Sequence, residues 1–474
     1  MRKILLLLTL TLLRGVVLAQ HYTPKIELCP CLMKVDPRLK TVCGYLVVPE
    51  NRKKYSGNKV KVPFLFARRP DQDSTKNIVL YTTGGPGYAT ISVGDSLRFK
   101  GGAFAFGGFL FFDQRGTRNA IPCLDCEGID EAIRNAYRYD LKKDSLVAIA
   151  VTKCRQKFEK KGIDLSSYNT IESAADIADL KKVLKIDSLT LLGISYSGGL
   201  MLTVLKNHPE GIKSLLLNSP LPSYVNYEEH ALFNHQEALS ELFNRVENDS
   251  MQNVAFPNLR SRFQAYFSSL QNKRFNLTYT ENNGKSWSIR YSKNELLDAV
   301  FNRMNNGEFN TVPNVIHDLI NGNHAFYIKQ VLDVKFFGDQ SLSYGMRLSV
   351  YCSEQLAYSD LKKIKEQDKV LPWLSGYPFN NVNHAQCDCW KVKPEPVSVK
   401  TPVYSNAPAL ISAGMLDPWT RPFYSRLIKR TMPNAHLIIL KEKAHMAGFD
   451  KFVDEFMINP YKPLISTSSN VIVE

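Results

Sequence analysis

Ser195 stands in the stretch Gly193-Ile194-Ser195-Tyr196-Ser197-Gly198-Gly199, with small residues on both sides. A serine hydroxyl is a poor nucleophile at neutral pH. It needs a base within hydrogen-bond reach and a third group to orient that base. Asp417, in Gly414-Met415-Leu416-Asp417-Pro418, and His445, in Lys443-Ala444-His445-Met446-Ala447-Gly448, are the residues that could fill those posts. Of the nine histidines only His436 and His445 follow Asp417. His436 opens an apolar run that reads as a strand, which places it at the wrong end of a sheet, so His445 is the base. Backbone amides can supply the remaining part, a site for the negative oxygen of an acyl-transfer intermediate. Thr83-Gly84-Gly85-Pro86-Gly87-Tyr88 leaves amides bare and lets a substrate come close. The candidate oxyanion donors are the amides of Tyr196 and Gly85, with Gly84 the second choice on that loop.

The elements that must position these residues are legible as apolar runs. Leu189 to Ile194 reads as a buried strand and Tyr196 to Asn207 as a helix that stops before Pro209. A strand that turns straight into a helix lifts the residue between them clear of the sheet in a strained conformation, here Ser195. Cys43 to Arg69 reads as an antiparallel hairpin, and Asn77 to Thr82, Phe109 to Phe112 and Lys213 to Leu217 as strands. Thr170 to Lys185 carries apolar residues at helical spacing. Strand, helix and strand in this order give parallel pairing, hence an α/β fold with a mostly parallel sheet. Asp113 and Arg115, just past one strand, are assigned to holding loops. From 222 to 400 the alternation stops, and this stretch reads as a large, mainly helical cap insertion over the carboxyl edge of the sheet, where α/β ligands bind. The sheet resumes with Ala409 to Ala413 and His436 to Leu440, separated by a helix over Phe423 to Arg430 and followed by one near Lys451 to Met457. The chain thus divides into a first core part, 20–221, the cap, 222–400, and a second core part, 401–474.

At 474 residues, 44% hydrophobic and 22% charged, the composition is that of an ordinary globular protein. The net charge of +15 has no dense basic run behind it, so it reads as a solvated surface and no nucleic acid partner is expected. Residues 1–19 have Arg2 and Lys3, an apolar stretch to Leu13, and Val17-Leu18-Ala19, the pattern of a secretory signal peptide. Without Arg2, Lys3 and Arg14 the charge falls from +15 to +12. No second apolar run approaches spanning length, so no integral membrane segment is expected after signal removal, and the protein should be secreted or periplasmic. All nine cysteines follow the signal. In an exported chain they read as disulfides, with at least one left unpaired. No second pair or histidine completes a zinc set, and the chemistry calls for no metal and no cofactor.

Gly84-Gly-Pro-Gly87, Asp113-Gln-Arg-Gly-Thr117, Ser195-Tyr196, Asp417-Pro418 and His445 together resemble the α/β-hydrolase family of prolyl aminopeptidases and tripeptidyl aminopeptidases. Cys43-Gly-Tyr-Leu-Val-Val-Pro49 and Cys387-Asp-Cys-Trp390 resemble its secreted members. The order serine, acid, histidine along the chain is that of the fold. The sequence departs from the family at Thr83, where a histidine is usual, and at Ser197 and Arg118, where glycines are. The resemblance implies pairing of Cys123 with Cys154, of Cys352 with Cys387, and of Cys43 with Cys29 or Cys31. It also implies a serine peptidase that releases proline or a short peptide from the amino terminus of peptide substrates through an acyl-enzyme. The substrate's ammonium must meet carboxylates, for which Glu354, Glu228 and Glu229 are candidates. Two other readings remain: a secreted carboxylesterase using the same triad, and a binding protein on the same fold without catalysis.

Overall fold

The computed structural model describes residues 22–54, 57–378 and 380–474. The signal peptide over 1–19 lies outside the described residues. The main sheet takes ten strands, Lys25–Leu28 (β1), Lys40–Pro49 (β2), Lys59–Arg68 (β3), Ile78–Thr82 (β4), Phe109–Phe112 (β5), Leu189–Ile194 (β6), Ile212–Asn218 (β7), Ala409–Gly414 (β8), Ala435–Leu440 (β9) and Val471–Val473 (β10). They lie in the order β1-β2-β3-β5-β4-β6-β7-β8-β9-β10. The five pairings from β5 to β9 are parallel, and the outer pairings are antiparallel. Runs such as Ile78-Val-Leu-Tyr-Thr82 and Ala409-Leu-Ile-Ser-Ala-Gly414 are apolar without alternation because both faces of these strands are covered.

The order of the strands decides where a site can form. From β4 the chain passes outward to β5 on one side, then returns to β6 on the other side of β4 and continues to β7. The connections diverge above the carboxyl ends of β4 and β6, which opens a crevice at that edge. Thr83 to Gly87 follow β4 and Ser195 follows β6, so the two motifs share this crevice.

Between β7 and β8 lies the insertion, mostly helical, with Ala231–Asn248, Lys293–Asn305, Val312–Ile320 and Ala325–Phe337 among its helices. Sequence does the local work here: Ser292 and Glu295 form a reciprocal cap at the start of Lys293–Asn305. The insertion also contains an antiparallel hairpin, Phe275–Thr280 with Ser286–Tyr291, inside a stretch that reads as helical overall. Its apolar core, with Leu239, Phe243, Phe263, Phe267 and Phe301, is distinct from the core under the sheet. Leu416 and Ala444 are members of the insertion's core, so it packs against the residues next to Asp417 and His445.

Three disulfides form: Cys31–Cys43, Cys126–Cys154 and Cys352–Cys387. The implied pairing of Cys123 with Cys154 is therefore corrected. Cys126 enters the helix Gly128–Arg138, which packs along Lys143–Glu159 and brings Cys126 to a Cα–Cα distance of 5.6 Å from Cys154. Cys123 faces the other way, its Sγ 3.6 Å from Ser343 Oγ. Among the described residues Cys29, Cys123 and Cys389 are free, and no helix is long and apolar enough to cross a membrane. The disulfides fit an oxidising compartment.

Candidate active site

Ser195 sits between β6 and the helix Tyr196–Asn207 at φ 55°, ψ −122°, outside the ordinary regions for a residue with a side chain. Neighbouring backbone holds it there. Its N–H donates to Asn218 O at 3.0 Å, and its carbonyl accepts from Gly198 N at 3.0 Å and Leu221 N at 2.9 Å. The turn closes only because Gly193 has no side chain: a Cβ there would lie 2.5 Å from Ser197 O. Ser197 fits the turn because its hydroxyl donates to Thr82 O at 2.8 Å and accepts Ile194 N at 2.7 Å, tying β4 to β6. The Ser195 hydroxyl itself has no hydrogen-bond partner among the described residues.

Asp417 and His445 are brought together. The imidazole Nδ1 donates to Asp417 Oδ2 at 2.9 Å, which leaves Nε2 as the acceptor. Asp417 is fully buried. Burial would raise its pKa, but the His445 ring and the Thr420 hydroxyl and amide outweigh it and hold the carboxylate below its ordinary value. Its oxygens are saturated: Trp419 N (2.8 Å) and Thr420 N (2.9 Å) donate to Oδ1, and Thr420 Oγ1 donates to Oδ2 at 2.7 Å. The Trp419 ring meets the imidazole edge-on at 5.1 Å. Composition alone gives no hint of Thr420, although Asp-Pro-Trp-Thr is the spacing of a turn in which an aspartate bonds the amides that follow it.

The histidine loop is tied to the serine turn through Asn218, the last residue of β7. Its side-chain oxygen accepts Gly448 N at 3.1 Å, and Ser219 Oγ accepts Ala447 N at 3.4 Å.

The glycine loop lies against the same turn, since a Cβ on Gly84 would come within 3.1 Å of Ser195 Cβ. The N–H groups of Gly85 and Tyr196 donate to no described residue, as an anion site requires. Asp113 Oδ1 accepts Thr90 N at 2.5 Å and Ile91 N at 2.9 Å, anchoring the far end of the loop. Burial raises the Asp113 pKa to about 6, against the pull of those amides. Arg115 clamps Asp176 through two bonds of 2.7–2.8 Å and reaches the carbonyls of Glu50 and Ser167. From the insertion, Ser343 N donates to Gly87 O at 2.9 Å, and Arg347 reaches Gly85 O at 3.3 Å and Pro86 O at 3.4 Å.

The three candidate acids lie in different settings. Glu229 accepts Asp360 N at 2.8 Å and pairs with Lys363 at 3.0 Å, a helix-end and surface contact. Glu228 takes Asn380 Nδ2 on one oxygen at 2.5 Å, and burial pushes its carboxyl up to about 7. Glu354 is buried in a π-turn, Tyr351–Gln355, that continues the helix Tyr344–Val350. Its Oε2 accepts the Thr170 hydroxyl at 2.5 Å, and Thr170 Oγ1 lies 2.9 Å from the Tyr196 hydroxyl. Beside it, burial first and Glu354 second push Glu395 up to about 8, and burial pushes Lys400 down to about 8.

The alpha/beta hydrolase fold model matches residues 153–452. No curated protein sequence matches the chain. Among solved structures it is similar to Est816, described as an N-acyl homoserine lactone degrading enzyme, at 12% identity over 84% of this chain and 95% of that one, TM-score 0.33. It is similar to a thermophilic esterase from Thermogutta terrifontis, at 11% identity over 85% and 95%, TM-score 0.33. A Bacillus megaterium epoxide hydrolase matches at 14% identity over 85% and 96%, TM-score 0.35. With the family model spanning well over half its length, this chain belongs to the alpha/beta hydrolase fold family.

Proposed function

We propose that the protein is an exported serine hydrolase in which Ser195, His445 and Asp417 act as a triad. In this reading Ser195 Oγ attacks an amide or ester carbonyl while His445 Nε2 takes its proton. The negative oxygen is held by the N–H groups of Tyr196 and Gly85, with Gly84 the second choice. His445 then passes the proton to the leaving group, and water releases the acyl group by the reverse relay. Asp417 keeps Nδ1 protonated and steadies the imidazolium. The observation that carries the reading is the His445–Asp417 bond on a loop that Asn218 ties to the serine turn. Closure of the serine–histidine bond belongs to the complex with substrate, where such bonds tighten.

Within this class the reading is an aminopeptidase acting near a peptide's free amino terminus, with the cap, residues 222–400, supplying acids for the ammonium. Glu228 and Glu354 fit that post better than Glu229, which Lys363 and the Asp360 amide already occupy. The signal sequence and disulfides support export, to the medium or the periplasm.

Ser195→Ala should abolish covalent labelling by a fluorophosphonate. Labelling that survives removes Ser195 from the nucleophile's role. Peptides with free and blocked amino termini, compared with short-chain acyl esters, decide the substrate class. Turnover of esters but not of free-amine peptides makes the protein a carboxylesterase.

A further inference from the structure

Arg347 is carried by the helix Tyr344–Val350 of the insertion, yet its guanidinium lies at the glycine loop of the core. It is partly buried, flanked by the Tyr88 ring at 5.7 Å and the Tyr351 ring at 5.8 Å. Among the described residues it forms no ion pair. Its contacts are the long bonds from Nε to Pro86 O (3.4 Å) and from Nη2 to Gly85 O (3.3 Å). A guanidinium has five N–H donors, so three remain uncommitted. The acid nearest in the chain, Asp339, accepts the Ser341 amide (3.0 Å) and hydroxyl (2.7 Å) and bonds the Tyr88 hydroxyl, and it forms no ion pair with Arg347. A half-desolvated cation left without an anion is costly unless something else supplies one.

The backbone that carries the guanidinium is also held in place. Arg347 N donates to Ser343 O at 3.1 Å, and Ser343 N donates to Gly87 O at 2.9 Å. Gly87 sits so tightly beneath that a Cβ would meet Ser343 O at 2.8 Å. The anchored helix start and the flanking rings keep the cation beside Gly85, whose free N–H is a candidate oxyanion donor, which reduces the ordering needed to bind.

We propose that Arg347 is a specificity residue that receives a carboxylate of the substrate close to the bond being cut. The favoured substrates are short peptides whose terminal carboxylate falls there, or peptides with an acidic side chain at that position. This rests on the Ser195 reading and adds the anionic half of the substrate. Planar, two-point recognition of a carboxylate is what a guanidinium does better than an ammonium.

The test measures kcat/KM on matched pairs, one pair with a free or amidated carboxyl terminus and one with Glu or Gln beside the cleaved bond. Wild type should prefer the acid of at least one pair, and the responding pair identifies the source of the carboxylate. Arg347→Met should lower that acid-to-neutral ratio by about tenfold or more, and Arg347→Lys by less. Any slackening of the glycine loop affects both members of a pair alike and cancels from the ratio. A ratio in Arg347→Met equal to that of wild type in both pairs overturns the proposal. Ser195→Ala, run alongside, separates the two ideas: turnover that persists there sinks the hydrolase site, whereas Ser195-dependent turnover with unchanged ratios sinks only the role of Arg347.

Discussion

Asn218 accepts the backbone N–H of Ser195 on its carbonyl oxygen at 3.0 Å. Its side-chain oxygen takes Gly448 N at 3.1 Å and faces Ser412 Oγ at 3.3 Å. One residue at the end of β7 therefore links the serine turn, the histidine loop and β8, the strand that leads to Asp417.

Asn218→Ala keeps the backbone bond and removes the side-chain one. It leaves donors near the site without an acceptor, which costs about 1–3 kcal/mol. The expected outcome is a lower melting temperature together with a fall in kcat of about tenfold and little change in KM, because the histidine loop loses its tie to the serine. Ester or amide kinetics at saturating substrate check this. An unchanged kcat in a folded variant would show that the tie does not govern the chemistry.

Glu395 gives stability a pH dependence with a definite sign. Its folded carboxyl titrates at about 8, raised by burial and then by Glu354, against an ordinary value of 4.5. Its contribution is fully present below about 4.5 and is lost as the pH rises towards 8. Lys400, pushed down to about 8 by burial, and the Thr170 hydroxyl face the same cluster. Glu395→Gln can still accept Ile171 N, a bond of 3.1 Å in the wild type, but cannot ionise. Melting curves across pH 5 to 9 should fall less steeply for the variant than for wild type, and parallel curves would refute the assignment.

The cysteines separate by function as cross-links. Cys126→Ser removes a bridge across 28 residues and should cost about 2–4 kcal/mol of stability. Cys123→Ser removes a thiol that closes no bridge and meets the Ser343 hydroxyl and the Asp125 backbone, contacts a serine hydroxyl can also make, and should cost about 1 kcal/mol or less. Denaturant unfolding without reductant ranks the two, and the reverse order would contradict the pairing described above.

The core was legible because its strands are unbroken apolar runs of strand length. Leu189–Ile194, Phe109–Phe112 and the helix Tyr196–Asn207 fall at the boundaries that periodicity and Pro209 indicate. Ser195, Asp417 and His445 stand out in the sequence as candidates because each follows the end of a strand, and the structure brings Asp417 and His445 together. What could not be read is tertiary. Asn218 looks like any strand-ending polar residue until Gly448 is folded onto it. Arg347 is one of many basic residues until the insertion sets it on the glycine loop. The hairpin of Phe275–Thr280 and Ser286–Tyr291 does alternate apolar and polar residues, but its two strands are short and are enclosed by helices on both sides, so the surrounding helical pattern hides them. Cys123 and Cys126 are separated only by which way the chain turns at Leu124, where its N–H bonds Gly116 O.

The bond from Ser343 to Gly87, with Leu342 bridging Tyr88 beside it, has a bearing on engineering. A lid grafted from another hydrolase could not be treated as an exchangeable module here. The graft would have to bring its own clasp for the glycine loop, or the recipient would keep Ser195 and lose the placement of Gly85 beside it.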